Sequence, residues 1–240
     1  MALSSPANLI CFAHRGASGY EPENTLRSFT RALELGATWI ECDIRMVEDE
    51  LVVFHDRTLG RLTGASGNLA NLDLNTLRTL RVNGREPIPL LNEVVELVHN
   101  RARLQLELKA SGTGERLGRY LTSILEKGWN ADSFLVSSFD HDELAACKRT
   151  APSIPIGVLL YGYPINTPDL AKALGAYSVH LNLETVTPKR VSTLHQAGLK
   201  VFVYTVNERA DIEAMRAIGV DGVFSDFPDR VLLTNPPKAS

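Results

Sequence analysis

The 240-residue sequence predicts an α/β fold, a closed (β/α)8 barrel with a β-hairpin and a small insertion after the second barrel strand. Two observations carry this expectation. Short β-rich runs alternate along the chain with amphipathic stretches, the pattern of βα units on a parallel sheet. One pair of runs breaks that rhythm: only Glu48 to Glu50 separate "CDIRMV" from "LVVFH". That gap is far shorter than the dozen or more residues of a parallel crossover, so the pair forms a hairpin. Setting its return strand aside leaves eight strands, the number that closes as a TIM barrel.

In chain order, strands are expected at 8–13, 38–47 and 51–55, with a helix over 24–36 between the first two. Residues 56–89 follow neither period, are rich in Gly, Asn, Thr and Leu, and contain Pro87 and Pro89. They read as an excursion with a short helix at 73–80, suited to a lid or substrate wall. Further strands are expected at 102–108, 133–138, 155–160, 177–182, 199–204 and 221–225. Helices are expected at 90–99, 114–127, 140–150, 167–174, 188–197, 208–218 and after Pro228. Gly36, Gly128, Gly198 and Gly219 stand where helices should stop. The whole chain, 1–240, reads as one catalytic barrel domain carrying an insertion at about 56–89.

With 44% hydrophobic and 22% charged residues the chain can bury a large core. A net charge of -3 gives no basic field for a phosphate backbone, which argues against a nucleic-acid partner. No apolar stretch approaches the roughly 20 residues that span a bilayer. The start, "MALSSPANL", lacks the charged and apolar regions of a secretory signal. A cytoplasmic location without stable membrane association is expected, as a monomer or homodimer. Cys11, Cys42 and Cys147 show no CxxC spacing and read as free thiols.

Chemistry in such a barrel sits where strands deliver the chain to the C-terminal face. His14 and Arg15 follow the first strand, Glu41 and Asp43 lie on the second, and Glu107 and Lys109 close the third. Side chains at i and i+2 share a face, so Glu41 and Asp43 project together, away from Cys42, and Glu107 projects with Lys109. Three converging carboxylates without a counter-charge repel one another, and a bound cation resolves this. All-oxygen ligation favours Mg²⁺ or Ca²⁺ over zinc. If the hairpin turn centres near Asp49, His55 stands opposite Asp43, give or take one register step. Two histidines beside a metal, with Arg15 and Lys109, supply acid, base, Lewis acid and anion clamp. Charge counting adds a ligand: with a divalent ion and both cations the site keeps about one positive charge, which a phosphodiester balances.

At these residues the sequence resembles the glycerophosphodiester phosphodiesterase family, over about residues 10–229. The matching pieces are "AHRG" at 13–16, "PENT" at 22–25, "ECD" at 41–43, "VVFHD" at 52–56, "LELK" at 106–109, "SSF" at 137–139 and "DGVFSDFP" at 221–228. The resemblance implies a TIM barrel that hydrolyses glycerophosphodiesters, as small-molecule substrates, to glycerol 3-phosphate and an alcohol. It implies that His14 and His55 are the acid/base pair. Glu41, Asp43 and Glu107 would hold the metal, and Arg15 and Lys109 would contact the phosphate. Two departures stand out: the hairpin turn reads "EDE" where the family usually has Gly after Asp, and Tyr204 in "VYTVN" replaces a usual Trp.

Other polar residues have more local readings. Asn24 reads as the cap of the first helix, with Glu23 near that helix's positive end and within reach of the site. Asp56 reads as orienting its neighbour or the following turn. Ser138, Phe139, Tyr204 and Asn207 are strand-end candidates for substrate contact, with packing or turn formation as the alternative. Lys109 has neutralisation of the carboxylates as its own alternative role. His99, His141, His180 and His195 read as structural. Which histidine is acid and which base, and whether water or the glycerol 2-hydroxyl attacks, stay open at this level. So do two other functions: a lysophospholipase D- or phospholipase D-like enzyme on lipid head groups, and a non-catalytic barrel that binds phosphate esters.

Overall fold

A computed structural model describes residues 8–234. Residues 1–7, part of the start read above as lacking a secretory signal, and residues 235–240 lie outside the described residues. Strand β1 (Ile10–Ala13) leads to helix α1 (Leu26–Glu34), β2 (Trp39–Val47) and the return strand β3 (Glu50–Val53). The excursion then forms α2 (Gly60–Thr63), α3 (Leu74–Thr79) and a ribbon of β4 (Arg81–Val82) and β5 (Glu86–Pro87). Regular alternation resumes with α4 (Leu91–Val98), β6 (Arg103–Leu108), α5 (Thr113–Leu125), β7 (Phe134–Ser138), α6 (His141–Thr150) and β8 (Ile156–Leu160). It finishes with α7 (Thr167–Ala173), β9 (Ser178–Asn182), α8 (Pro188–Gln196), β10 (Lys200–Tyr204), α9 (Arg209–Ala217), β11 (Gly222–Ser225) and α10 (Pro228–Thr234).

Strands β1, β2 and β6 to β11 pair in parallel, and β11 returns to β1, so eight strands close the TIM barrel that the alternation predicts. The four glycines expected to stop helices all have positive φ. Alternation along each strand sorts the side chains. Cys11, Ala13, Ile40, Cys42, Ile44, Leu104 and Leu106 face the helices, in one continuous apolar core. Phe12, Leu135, Phe202 and Phe224 face inward and plug the barrel, with Phe12 stacked on Phe224 at 4.7 Å between centroids. Each of the three phenylalanine rings removes on the order of 150–250 Å² from water, so the barrel is filled rather than hollow. The three cysteines are buried free thiols.

The hairpin falls within the one register step allowed for it, and the expected cap of α1 is corrected. The hairpin turn is two residues long, with Val47 paired to Glu50 and Ile44 to Val53. Phe54, whose N–H donates to the Asp43 carbonyl (2.9 Å), therefore stands opposite Asp43, and His55 lies one step beyond. Glu48 accommodates this turn at φ 53°, where the family's usual turn has glycine nearby. The cap of α1 is Thr25 rather than Asn24. Thr25 Oγ1 accepts from the Ser28 N–H (3.1 Å) and Ser28 Oγ accepts from the Thr25 N–H (3.3 Å), a reciprocal capping box. Asn24 sits at φ 56°, which frees its side chain for another partner.

The excursion is more structured than its sequence suggests. Phe54, Leu59, Leu62, Leu69, Leu77 and Ile88 form a second small core. The helix expected at 73–80 is α3, capped by Asp73, whose carboxylate accepts from the Thr76 N–H (2.7 Å). The one-turn α2 was invisible because a single turn carries no periodicity.

Inside the barrel, β8 passes close to β9. A Cβ on Gly157 would overlap the His180 ring and lie 2.7 Å from Ser178 Oγ. His180 cannot yield, because it is buried against Phe202 and Phe224 at 5.4 and 5.2 Å. Gly157→Ala should therefore destabilise the fold by about 1–3 kcal/mol, as overpacking does, and denaturant unfolding with an unchanged m value would check it.

Candidate active site

Register between neighbouring strands assembles the site. Pairing of β2 with β6 puts Asp43 beside Glu107, and Glu41 lies two residues earlier on the same face of β2. Oxygens of Glu41, Asp43 and Glu107 lie within 4.8 Å of one another. Glu41 and Asp43 are each 1% exposed, so little water screens them. Burial, then Asp43 and Glu107, push the Glu41 carboxyl well above its ordinary pKa. Burial and Asp43 raise Glu107 likewise. Burial also opposes ionisation of Asp43, yet Arg15, Lys109 and His55 hold its pKa below the ordinary value.

The surroundings are built to hold that cluster. Lys109 Nζ lies 2.6 Å from Glu107 Oε1 and 3.7 Å from Asp43 Oδ1. Arg15 Nε lies 3.2 Å from Asp43 Oδ2, and the Arg15 backbone N–H donates to Glu41 Oε2 (2.7 Å). That backbone contact requires Arg15 at φ 54°, a conformation a non-glycine residue adopts only at a cost of order 1 kcal/mol. Gly16 follows at φ 84°, and a Cβ there would collide with Ser28. Asn24 completes the cradle: its Nδ2 donates to Asp43 Oδ2 (2.8 Å) and its Oδ1 accepts from the Asp43 N–H (3.2 Å).

Even so, Glu41 Oε1 and Asp43 Oδ1 are buried without a hydrogen-bond partner. Orphaned carboxylate oxygens in a shared pocket, whose mutual repulsion a cation relieves, suit a hard divalent ion. The donor set fits such an ion.

Both histidines reach the same cavity, of about 180 Å³, which Arg15, Glu41, Glu107 and Lys109 also line. His14 Nδ1 lies 2.7 Å from Asp226 Oδ1, and His55 Nδ1 lies 2.6 Å from Asp56 Oδ1. A carboxylate there can only accept, so each Nδ1 carries the proton and each Nε2 is free to exchange one. Burial is the main influence lowering the His55 pKa, with Arg15 and Lys109 adding to it and Asp43 opposing. Against burial, the His14 contact and Asn207 hold Asp226 down to about 2.

Phe139 and Tyr204 line the opposite wall, in an edge-to-face contact at 5.9 Å. Tyr204 Oη donates to the Leu160 carbonyl (2.6 Å), so its ring is what it offers to a ligand. Ser138 lines the adjoining groove rather than this cavity, with its hydroxyl engaged: it donates to the Leu108 carbonyl (2.9 Å) and accepts from the Asp140 N–H (3.0 Å). Ser137, not Ser138, lines the cavity. Asn207 serves the site indirectly. Its Nδ2 donates to Asp226 Oδ2 (2.7 Å) and its Oδ1 accepts from the Asp226 N–H (2.9 Å). The remaining histidines have structural partners, His195 with Asp221, His141 with the Leu159 carbonyl, His99 stacked on Trp129 and His180 with Ser178.

Asp226 and Arg61 were given no role by sequence. Asp226 had a signal, since it stands directly after the strand run 221–225, where that strand delivers the chain to the C-terminal face. Arg61 had none. It joins Glu23 (2.8 Å) to Asp56 (2.7 Å), while Glu23 also holds Arg15 (2.7 Å). One chain of charges thereby links the loop after β1 to the ring of His55.

A family model, the Glycerophosphoryl diester phosphodiesterase family, matches residues 14–230. The chain is 35% identical to a glycerophosphodiester phosphodiesterase of Bacillus altitudinis, over 92% of this chain and 96% of that one. It is 33% identical to one of Caldanaerobacter subterraneus subsp. tengcongensis, over 93% and 96%. The fold superposes with a TM-score of 0.87, at 30% identity over 93% and 95% of the chains, on an Oleispira antarctica phosphodiesterase in complex with the product sn-glycerol-3-phosphate.

If the carboxylates hold a cation, Mg²⁺ or Ca²⁺ should raise the melting temperature, with about 2.7 kcal/mol gained at a hundredfold excess over Kd. Asp43→Asn should abolish that shift in a thermal melt.

Proposed function

The chain belongs to the glycerophosphoryl diester phosphodiesterase family, and we propose that it hydrolyses glycerophosphodiesters to sn-glycerol 3-phosphate and an alcohol, with His14 and His55 as its proton-transfer pair. It is an enzyme of phosphodiester hydrolysis. The observation that carries the detailed reading is the pair of imidazoles, each backed by a carboxylate at Nδ1, facing a cavity that Glu41, Glu107, Arg15 and Lys109 also line, with Asp43 beside those two carboxylates. A non-catalytic barrel would have no use for two histidines held in one tautomer.

Glu41, Asp43 and Glu107 would hold Mg²⁺ or Ca²⁺, which when bound supplies Lewis-acid stabilisation of charge on phosphoryl oxygens. The chain's own groups do the rest. Arg15 and Lys109 line the cavity and offset the negative charge of the diester. One imidazole accepts a proton at Nε2 from the attacking hydroxyl, of water or of the glycerol C2 carbon. A phosphorus–oxygen bond forms to that oxygen, the bond to the alcohol breaks, and the other imidazole protonates the departing alkoxide. If the 2-hydroxyl attacks, water then opens the cyclic phosphate with the two imidazoles in exchanged roles. Asp226 and Asp56 stabilise whichever ring is charged and keep both rings aimed. Phe139 and Tyr204 wall the cavity against water and pack on the glycerol carbons. No helix among the described residues is long and apolar enough to cross a membrane, and the reading is of a small-molecule hydrolase whose residues 8–234 act as one catalytic unit.

His14→Ala and His55→Ala should each lower kcat by roughly 10²- to 10⁴-fold while keeping the thermal shift with metal. A near-normal rate in either would remove that ring from the reaction. Activity should disappear in EDTA and return with Mg²⁺ or Ca²⁺; full turnover in chelator would overturn the metal assignment. Diesters lacking the 2-hydroxyl separate the two nucleophiles, because equal turnover excludes the cyclic route.

A further inference from the structure

The cavity that holds the histidines is small and closes on the barrel plug, whereas a second, open groove of about 760 Å³ joins it along His55, Glu107, Lys109, Phe139 and Tyr161. A volume near 180 Å³ suits the glycerol phosphate half common to all glycerophosphodiesters. The variable alcohol must then extend into the groove. Its charge is therefore a question of specificity, and it rests on the hydrolase reading above.

Formally the groove holds both signs, but its acids are all engaged. Asp56 is paired with Arg61 and His55, and Glu107 with Lys109. Asp140 accepts from the N–H groups of Asp142 (3.1 Å) and Glu143 (3.3 Å). Two of its cations are not so engaged. Arg45 gives only its Nε, to the His55 carbonyl (2.9 Å), and Arg57 is exposed. Among the described residues no carboxylate lies within ion-pair distance of either guanidinium. The aromatic wall does not form a cage for a cation. Phe139 is stacked on Tyr161 at 4.0 Å, and Lys109 Nζ already lies 5.8 Å from the Phe139 ring centre.

We infer that this groove is the leaving-alcohol subsite and that it selects alcohols bearing their own negative charge, a phosphate or carboxylate, with Arg45 and Arg57 as the recognising groups. Planar guanidinium forks suit both anions. A quaternary ammonium alcohol would meet two guanidiniums there that no carboxylate pairs at contact distance.

The test is kcat/KM for glycerol 3-phosphate release at saturating Mg²⁺ from three diesters: glycerophosphoinositol 4-phosphate, glycerophosphoinositol and glycerophosphocholine. The phosphorylated inositol ester should exceed the unphosphorylated one by about five- to tenfold, with the choline ester lowest. Arg57→Gln, at an exposed position that should not disturb folding, should cut the ratio between the two inositol esters several-fold. Arg57→Glu should move preference toward choline, and Arg45→Gln is read by the same ratio. A wild-type ratio of one or less, or a ratio that Arg57 variants leave unchanged, overturns the inference and leaves the hydrolase reading intact. No release from any of the three overturns both.

Discussion

Three carboxylates share a pocket from which water is nearly excluded, and the rest of the site is arranged around that constraint. Removing ionised groups from water costs on the order of several kcal/mol each even after relaxation. The fold meets that cost with Arg15 and Lys109, with a backbone N–H aimed at Glu41, and with an amide side chain on Asp43. Two residues, Arg15 and Asn24, take left-handed backbone conformations to deliver these contacts. Strain of this kind persists only where surrounding structure over-determines it. Here the capping box of α1 and the short β1 hold both ends of the loop. Compensation is still incomplete, because Glu41 Oε1 and Asp43 Oδ1 have no hydrogen-bond partner, in an acidic cluster that could take a metal ion.

The histidines are held by the same strategy at one remove. Each is oriented by a carboxylate that is itself held elsewhere, Asp226 by Asn207 and Ser18, Asp56 by Arg61. The two carboxylates come from distant parts of the chain, Asp56 from the loop after β3 and Asp226 from the loop after β11, and are held by α2 and by the loops after β10 and β1 respectively. Glu23 and Arg61 connect the excursion to the loop after β1, so the ring of His55 is positioned by tertiary contact rather than by the β3 ladder, which ends at Val53. The excursion thus has a physical role beyond walling the adjoining groove. Its small apolar core keeps Arg61 in place.

Much of this was legible in the chain. Alternation of β-rich and amphipathic runs dictated the barrel, and the three-residue gap after Val47 dictated the hairpin, because no crossover is that short. The i, i+2 spacing alone put Glu41 with Asp43, and Glu107 with Lys109, on the inward face. Strand periodicity reaches this far because a pleated strand has only two faces, and burial of one apolar set decides which is which.

What lay outside the sequence depended on where separate segments meet. Asn24 read as a cap because its spacing before a helix suits one, and only the fold of the loop turns it onto Asp43. The hairpin slipped one step because register is decided by the turn's backbone geometry, which Glu48 adopts against its residue preference. Arg61 sits in a one-turn helix whose ion pairs reach back 38 residues to Glu23 and five to Asp56. Local patterns report a residue's own backbone and face. Ion-pair partners, orphaned oxygens and the joining of a small cavity to a wider groove exist only after the barrel closes and brings distant strand ends within a few ångströms.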